Sequence, residues 1–296
     1  MIMKKIITIL AAVALSASLH AQDAATTAMS FAARPSDAKS LAMGGTTAFH
    51  SMAARVQDAT KLDANVFYMP WKNAGGSSNG FGADVFARLG KSFGIGANFL
   101  MDNGKPVDNY TGIGSTSGKF TPKSMVVGGG ISYKIIPAVS IGASVRYLSD
   151  KLTAKTAYSA IGADVMLSGK FSGFSYAAGV TNLGSKVKKS ESTTFAIPAA
   201  ATVAGRYNYT KEVHDIEASL QADWFFKGGF RAGAGAQYTF KDMVSARLGY
   251  SYGGKSPLPS FFSVGAGFKF KGITIDGAFL VGDVTGTFMA ALGYRF

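Results

Sequence analysis

From residue 64 onward the chain alternates apolar and polar residues with a period of two. In "FRAGAGAQYTF", Phe230, Ala232, Ala234, Ala236, Tyr238 and Phe240 share one face, and Arg231, Gly233, Gly235, Gln237 and Thr239 share the other. "VSARLGYSY" sets Val244, Ala246, Leu248, Tyr250 and Tyr252 against Ser245, Arg247, Gly249 and Ser251, and "VSIGASVRY" and "DIEASLQADW" behave alike. Side chains on a strand point to alternate faces, so the pattern predicts strands with one apolar and one polar side. Fourteen such segments are predicted, at 64–71, 80–89, 92–101, 123–135, 138–149, 157–168, 173–182, 197–209, 213–226, 229–240, 242–252, 260–270, 272–282 and 286–296.

Two architectures use strands of this kind. A soluble sandwich turns the apolar face to a second sheet, whereas an outer-membrane barrel turns it to lipid and lines its lumen with the polar face. Segment length favours the barrel, because about ten tilted residues cross the lipid layer. Aromatics such as Tyr238 and Phe240 gather at segment ends, as interfacial girdles do. Connections alternate between tight turns, near Gly90, Pro137, Lys211, Lys241 and Lys271, and longer stretches at 102–122 and 184–196. Short periplasmic turns and longer external loops are the outer-membrane habit, and an even strand number closes the sheet without an edge. The predicted fold is all-β: a transmembrane barrel of about 14 antiparallel strands over 64–296.

The last segment, "MAALGYRF", places Tyr294 and Phe296 outward and Arg295 inward. A C-terminal aromatic on such a strand resembles the signal that barrel-assembly machinery reads. Residues 22–63 lack the alternation and mix small residues with turn formers. "DAKSLAM" and "MAARVQDATKL" each suit a short helix, and the segment is expected to fill the lumen as a hatch or plug, the alternative being a periplasmic tail.

Composition extends this picture. Lys4 and Lys5 precede the apolar run "IITILAAVALSASL", and Ala21 stands at a cleavage position, so 1–21 reads as a signal peptide; the run is short for a retained anchor. Without cysteine there is no lipidated N-terminus, disulfide scaffold or thiolate metal site. Beyond the signal, 28 basic residues oppose 17 acidic ones. An exported basic chain meets polyanionic lipid or lipopolysaccharide rather than nucleic acid. The run Lys186, Lys188 and Lys189 would give a basic external loop, solvated or in contact with lipopolysaccharide phosphates.

Candidate chemistry is sparse. His50 and His214 lie in unrelated segments, and a catalytic set would need His214 beside a serine such as Ser219. No metal-ligand spacing or phosphate loop occurs, and "VGGGIS" lies within an alternating strand. The expectation is a protein without catalysis or cofactor. Charged residues fall on the polar face at Asp84, Arg88, Arg146, Asp164, Arg206, Asp215, Glu217, Asp223, Arg231, Arg247, Lys269, Asp276 and Arg295. Unpaired buried charge is costly, so mixed signs predict cross-strand ion pairs in a filled barrel, a charged solute passage being the alternative.

Several motifs resemble one family. "SDAKSLAMGGTTAF" resembles the N-terminal stretch of PorV/PorQ proteins, relatives of the FadL hydrophobic-compound channels. "AAGVTNLGSKV" with Pro198, "ARLGYSYG", "FSVGAGFKFKGITIDGAF" with Asp276, and "MAALGYRF" are similar to its later segments. The resemblance implies a fourteen-stranded FadL-like barrel with an N-terminal hatch, serving type IX secretion in Bacteroidota. Its partners would be the translocon or cargo C-terminal domains. The family's "NPAG" is absent, "MPWKNAGG" standing in its place, and the loops are short for a cargo-binding PorV. Two functions follow as expectations: secretion or surface attachment through protein contacts, or a channel for a hydrophobic molecule past the hatch. For the second, Met43, Gly44, Gly45, Phe49 and Phe67 are the candidate lining.

Overall fold

The computed structural model describes residues 27–57, 61–73, 76–110, 116–188, 193–227, 229–254, 256–282 and 285–296. The signal-peptide reading of 1–21 and Lys189 of the basic run lie outside the described residues.

Fourteen antiparallel strands form one closed barrel. They are β1 (Leu62–Asn73), β2 (Gly76–Leu89), β3 (Phe93–Gly104), β4 (Lys123–Ile136), β5 (Val139–Lys151), β6 (Ala157–Phe171) and β7 (Phe174–Gly184). The second half comprises β8 (Ala200–Lys211), β9 (His214–Phe225), β10 (Gly229–Phe240), β11 (Val244–Gly254), β12 (Phe261–Phe270), β13 (Ile273–Val281) and β14 (Thr285–Arg295). Each strand pairs with its neighbours in sequence, and β14 returns to β1 in a register running from Asp63↔Arg295 to Asn73↔Thr285. Closure leaves no unpaired edge. It also holds the final residue: the Phe296 N–H donates to the Leu62 carbonyl at 2.8 Å, and the Leu62 N–H donates back at 3.0 Å.

The outward faces are apolar. Val66, Ile161, Leu220, Ile275, Phe288 and Leu292 are all exposed on the outer wall, a surface that only lipid covers. Among the described residues no helix is long and apolar enough to span a bilayer; the strands do the crossing. The barrel is of the outer-membrane type, and its two rims are called here the turn side and the loop side.

The strands match the predicted segments closely, and the departures have local causes. β8 starts at Ala200 rather than 197, because Ile197–Ala199 form a tight turn and the Pro198 carbonyl accepts from Asn182 Nδ2 at 3.2 Å. Proline cannot donate to a ladder, so pairing of β7 with β8 ends at Thr181↔Ala200. Opposite it, β7 carries a bulge against β6 where Asn182 adopts φ 54°. The long connections 102–122 and 184–196 are not featureless, since they fold into small hairpins, Val107–Tyr110 with Thr116–Phe120 and Val187–Lys188 with Thr194–Phe195.

Residues 27–57 lie inside the barrel. Thr27 bridges Ala196 on the loop side, and Val56 packs with Phe86 of β2 near the turn side. Between them come a 3-10 turn (Ser30–Ala33), the short helix α1 (Ala38–Ala42) and 3-10 turns at Ala48–His50 and Arg55–Gln57. Asp37 caps α1 by accepting the Ser40 N–H at 2.7 Å. Backbone contact fixes this segment against the wall. A Cβ on Gly44, which has φ +69°, would collide with the carbonyl oxygens of Ala234 and Tyr250, and one on Gly249 would collide with Gly44 itself. Inward glycines of β10 and β11 thus form the seat for "MGG", a role that only a residue without a side chain can fill.

Candidate functional site

The lumen carries an apolar sector on its loop side and a charged network that runs up from its turn side. On the loop side, inward residues of the wall are apolar: Met69 and Trp71 of β1, Leu100 of β3, Val126 of β4, Leu148 of β5, Leu280 of β13 and Met289 of β14. They pack into one cluster with Phe31, Met29 and Leu41 of the inserted segment. This corrects the expectation that the inward face is polar along its whole length. The parity of the strands is as predicted, but near the loops both parities are apolar on β1, β3 to β5, β13 and β14, while β8 to β11 keep Thr202, Asp223, Arg231 and Ser251 inward.

On the turn side the inward face is charged, as predicted, yet the pairing differs from a purely cross-strand network. Arg55 of the inserted segment reaches Asp84 at 2.5 Å and Asp63 at 2.9 Å, and Arg295 also contacts Asp63 at 3.1 Å. Lys39 donates to Glu217 at 2.8 Å. Within the wall, Arg247 pairs with Asp276 at 2.5 Å on the turn side, Arg146 with Asp164 at 2.7 Å near mid-height, and Arg231 with Asp223 at 2.8 Å near the loop ends of β9 and β10. Asp164 further accepts from Ser144 and from the Asn182 N–H, each at 2.7 Å, so the β7 bulge feeds this network. Arg88 does not join it; its buried Nε finds no acceptor among the described residues. A second ion pair lies in the loop-side half, where Arg34 meets Asp102 at 2.7 Å with its guanidinium 4.6 Å from the Trp71 ring centre.

Between the segment and the wall lies a polar chamber of about 160 Å³, bordered by Asp37, His50, Arg55, Asp84, Arg146 and Asp223 among others. A turn-side vestibule of about 580 Å³, bordered by His214, Lys241, Arg247 and Lys269, reaches inward to Lys39. His50 Nδ1 lies 2.8 Å from Asp37 and 3.2 Å from Ser40. Burial pushes the Asp37 carboxyl up, but the His50 charge and the hydrogen bonds from His50 and Ser40 outweigh it and hold the group well below the ordinary carboxylate range.

The candidate lining residues are all buried but do not form one surface. Phe67 joins the loop-side cluster, whereas Phe49 packs with Ala53, Met166 and Ala204 beneath the Arg206 guanidinium, 4.5 Å away. Met43 covers the inward glycines Gly235 and Gly249, and Gly45 lies against the Phe261 ring. Tyr294 and Phe296 face outward, and Lys186 and Lys188 are exposed on the loop side. Nor do the described residues assemble a hydrolytic set at either histidine. His214 contacts the Tyr238 hydroxyl on the exposed rim, while Ser219 bonds Thr46 inside the lumen. At His50, Asp37 and Ser40 face the same ring nitrogen, so the imidazole does not lie between acid and nucleophile. Among the described residues no group of acidic or histidine side chains has the geometry of a metal site.

Sequence reasoning missed Arg34, Lys39 and Arg55, the cations by which the inserted segment engages the wall. It also missed the apolar loop-side half. The signal for that half was present: Leu100 lies between Phe99 and Met101, Leu280 between Phe279 and Val281, and Met289 between Phe288 and Ala290. Consecutive apolar residues at the loop end of a strand bury both faces.

Known structures share the architecture. The chain is similar to the toluene transporter TbuX of Ralstonia pickettii, with 14% identity and a TM-score of 0.62 over 90% of this chain and 100% of that one. It is similar also to the toluene transporter TodX of Pseudomonas putida, with 16% identity and a TM-score of 0.59 over 88% of this chain and 98% of that one. No family model matches the sequence, and no curated protein matches it. The PorV/PorQ resemblance therefore rests on short motifs alone, and what the solved structures share with this chain is the fold.

Proposed function

We propose that the protein is a plugged outer-membrane channel for a small hydrophobic molecule, taken up or released through the loop-side half of the lumen. The observation that carries the proposal is the apolar inward face that β1, β3 to β5, β13 and β14 present in that half. A water-filled pore would have polar residues where this wall carries Trp71, Leu100, Leu148, Leu280 and Met289. Met29 and Phe31, contributed by the inserted segment, occupy the space that an apolar ligand would take, and a ligand displacing them exchanges one apolar contact for another. Toluene transport by the proteins of similar fold supports the same class of ligand. The secretion reading draws no comparable support, since its protein contacts would fall on the loop rim and not on this compartment.

The two tryptophans make a direct test. Trp71 belongs to the apolar cluster and Trp224 lies on β9, so Trp224→Phe leaves Trp71 as sole reporter. Titrating the detergent-solubilised variant with toluene should give a saturable change in fluorescence, and glucose should give none. A response to neither, together with co-purification of exported proteins from native membranes, would replace the channel reading with the secretion one.

A further inference from the structure

The outer wall carries a concavity that a uniform lipid-facing band would not need. On the turn-side half, outward positions of β1, β2 and β3 hold Ala64, Ala83 and Ala97, while Val66, Phe99, Leu292 and Tyr294 stand around them. The register sets Val85 opposite both Ala64 and Ala97, so small and large residues alternate across neighbouring strands. The depression measures about 720 Å³, within the range of ~300–1,000 Å³ typical of small-molecule sites. Its lining is apolar, so it suits hydrocarbon.

The rim directly below is basic. The Lys61 carbonyl accepts the Arg88 N–H at 2.9 Å, which places Lys61 beside the hairpin of β2 and β3 that carries exposed Lys91 in its turn. Lys61 Nζ stands 5.1 Å from the Phe296 ring centre, and Lys271, at the nearby β12–β13 turn, stands 5.4 Å from that of Phe270. Lys61 and Ala64 are three residue steps apart, about 10 Å along a strand rising ~3.3 Å per residue. A molecule with an anionic head at the lysines and hydrocarbon in the groove fits this spacing.

We propose that the groove is a binding site for an anionic phospholipid of the turn-side leaflet, its acyl chains over Ala64, Ala83 and Ala97 and its phosphate held by Lys61 and Lys91. Short turns face the periplasm in barrels of this type, and that leaflet is the phospholipid one. Charge complementarity selects the anionic head, because clustered lysines at a membrane surface draw acidic lipid. The site lies outside the lumen and is independent of the channel reading.

Native mass spectrometry of the delipidated full chain in mild detergent tests the proposal, with phosphatidylglycerol, phosphatidylcholine and lipid A as probes. One phosphatidylglycerol should be retained per barrel, at least tenfold more tightly than phosphatidylcholine. Lys61→Gln with Lys91→Gln should remove that preference, and Ala83→Phe with Ala97→Phe should abolish retention of every lipid. Should the filled-groove double variant fail to fold, as judged by heat-dependent gel mobility, Ala97→Leu alone gives the same readout at smaller amplitude. Unaltered phosphatidylglycerol binding after filling the groove overturns the proposal, as does equal retention of phosphatidylcholine by the native chain. Preferential capture of lipid A would assign the wall to the opposite leaflet and overturn it equally.

Discussion

In the loop-side half of the lumen Phe31 and Leu41 meet Leu148, Leu280 and Met289, while in the turn-side half Arg55 meets Asp63 and Asp84. Both halves fill the same tube with the same inserted segment, yet they hold it differently. Apolar contact is non-directional, so the loop-side fit tolerates exchange of one apolar group for another. Buried ion pairs are directional, and removing one partner leaves a charge that nothing solvates. The segment is held at its turn-side end by the Arg55 ion pairs, and at its loop-side end by apolar contact together with the Arg34–Asp102 pair.

Breaking the Arg55 latch should have the largest effect. Arg55→Leu leaves Asp63 and Asp84 buried without their shared partner, a loss of about 3–5 kcal/mol from the docking of the segment. Planar-bilayer recordings should then show greater ion conductance than the native protein gives. Unchanged conductance together with an unchanged melting temperature would mean that the segment is held elsewhere.

Next comes a cavity in the opposite half. Leu280→Ala should cost about 2–5 kcal/mol and leave ion conductance at the native level, because the latch is untouched. Apolar cavities of this kind accept small aromatics, so toluene should raise the melting temperature of Leu280→Ala more than that of the native protein. Equal shifts would argue against an exchangeable apolar compartment.

Gly44→Ala probes the seat between the halves. Its Cβ meets backbone oxygens that cannot rotate away, in a conformation with φ +69°, and a penalty of about 1–3 kcal/mol is expected. Faster proteolysis after Lys39 would report the loosened segment, whereas Gly45→Ala, with only side chains nearby, should be milder.

Acid acts on the polar chamber. The Asp37 carboxyl is depressed in the fold, so its contribution is complete above the ordinary carboxylate value of about 3.9 and is lost as pH falls from there through its folded value. His50→Gln removes the largest of the depressing influences and should move the acid loss of segment protection to higher pH, while leaving toluene binding at neutral pH intact. The smallest effect belongs to the exposed rim, where Lys269 and Asp242 pair at 2.6 Å in water. Lys269→Gln should change stability by less than about 0.5 kcal/mol. A large loss there would show that the vestibule takes part in the latch.

Much of the barrel could be read from the chain because its determinants are local. Period-two alternation fixes which residues of each strand share a face, and the lipid-facing set from Val66 to Phe296 follows from parity alone. Phe296 belongs to that set by parity, and its backbone is tied to Leu62 by ladder bonds. Tight turns at Lys241 and Lys271 likewise follow from their neighbours in sequence.

Which inward residues meet which was decided by tertiary structure. Parity places Asp84 and Leu280 alike in the lumen, but says nothing of the segment threaded past them. Arg55 gains Asp63 and Asp84, and Gly44 gains the backbone of Ala234 and Tyr250, through sequence separations that no local period encodes. The same holds for Met43, Phe49 and Phe67, which share hydrophobicity but are distributed over different packing environments. Alternation acts between adjacent residues, whereas the match of plug to wall depends on shape and charge across the closed tube. The chain by itself therefore determined the barrel and its faces, and only closure around the inserted segment created an apolar sector, a charged network and the boundary between them.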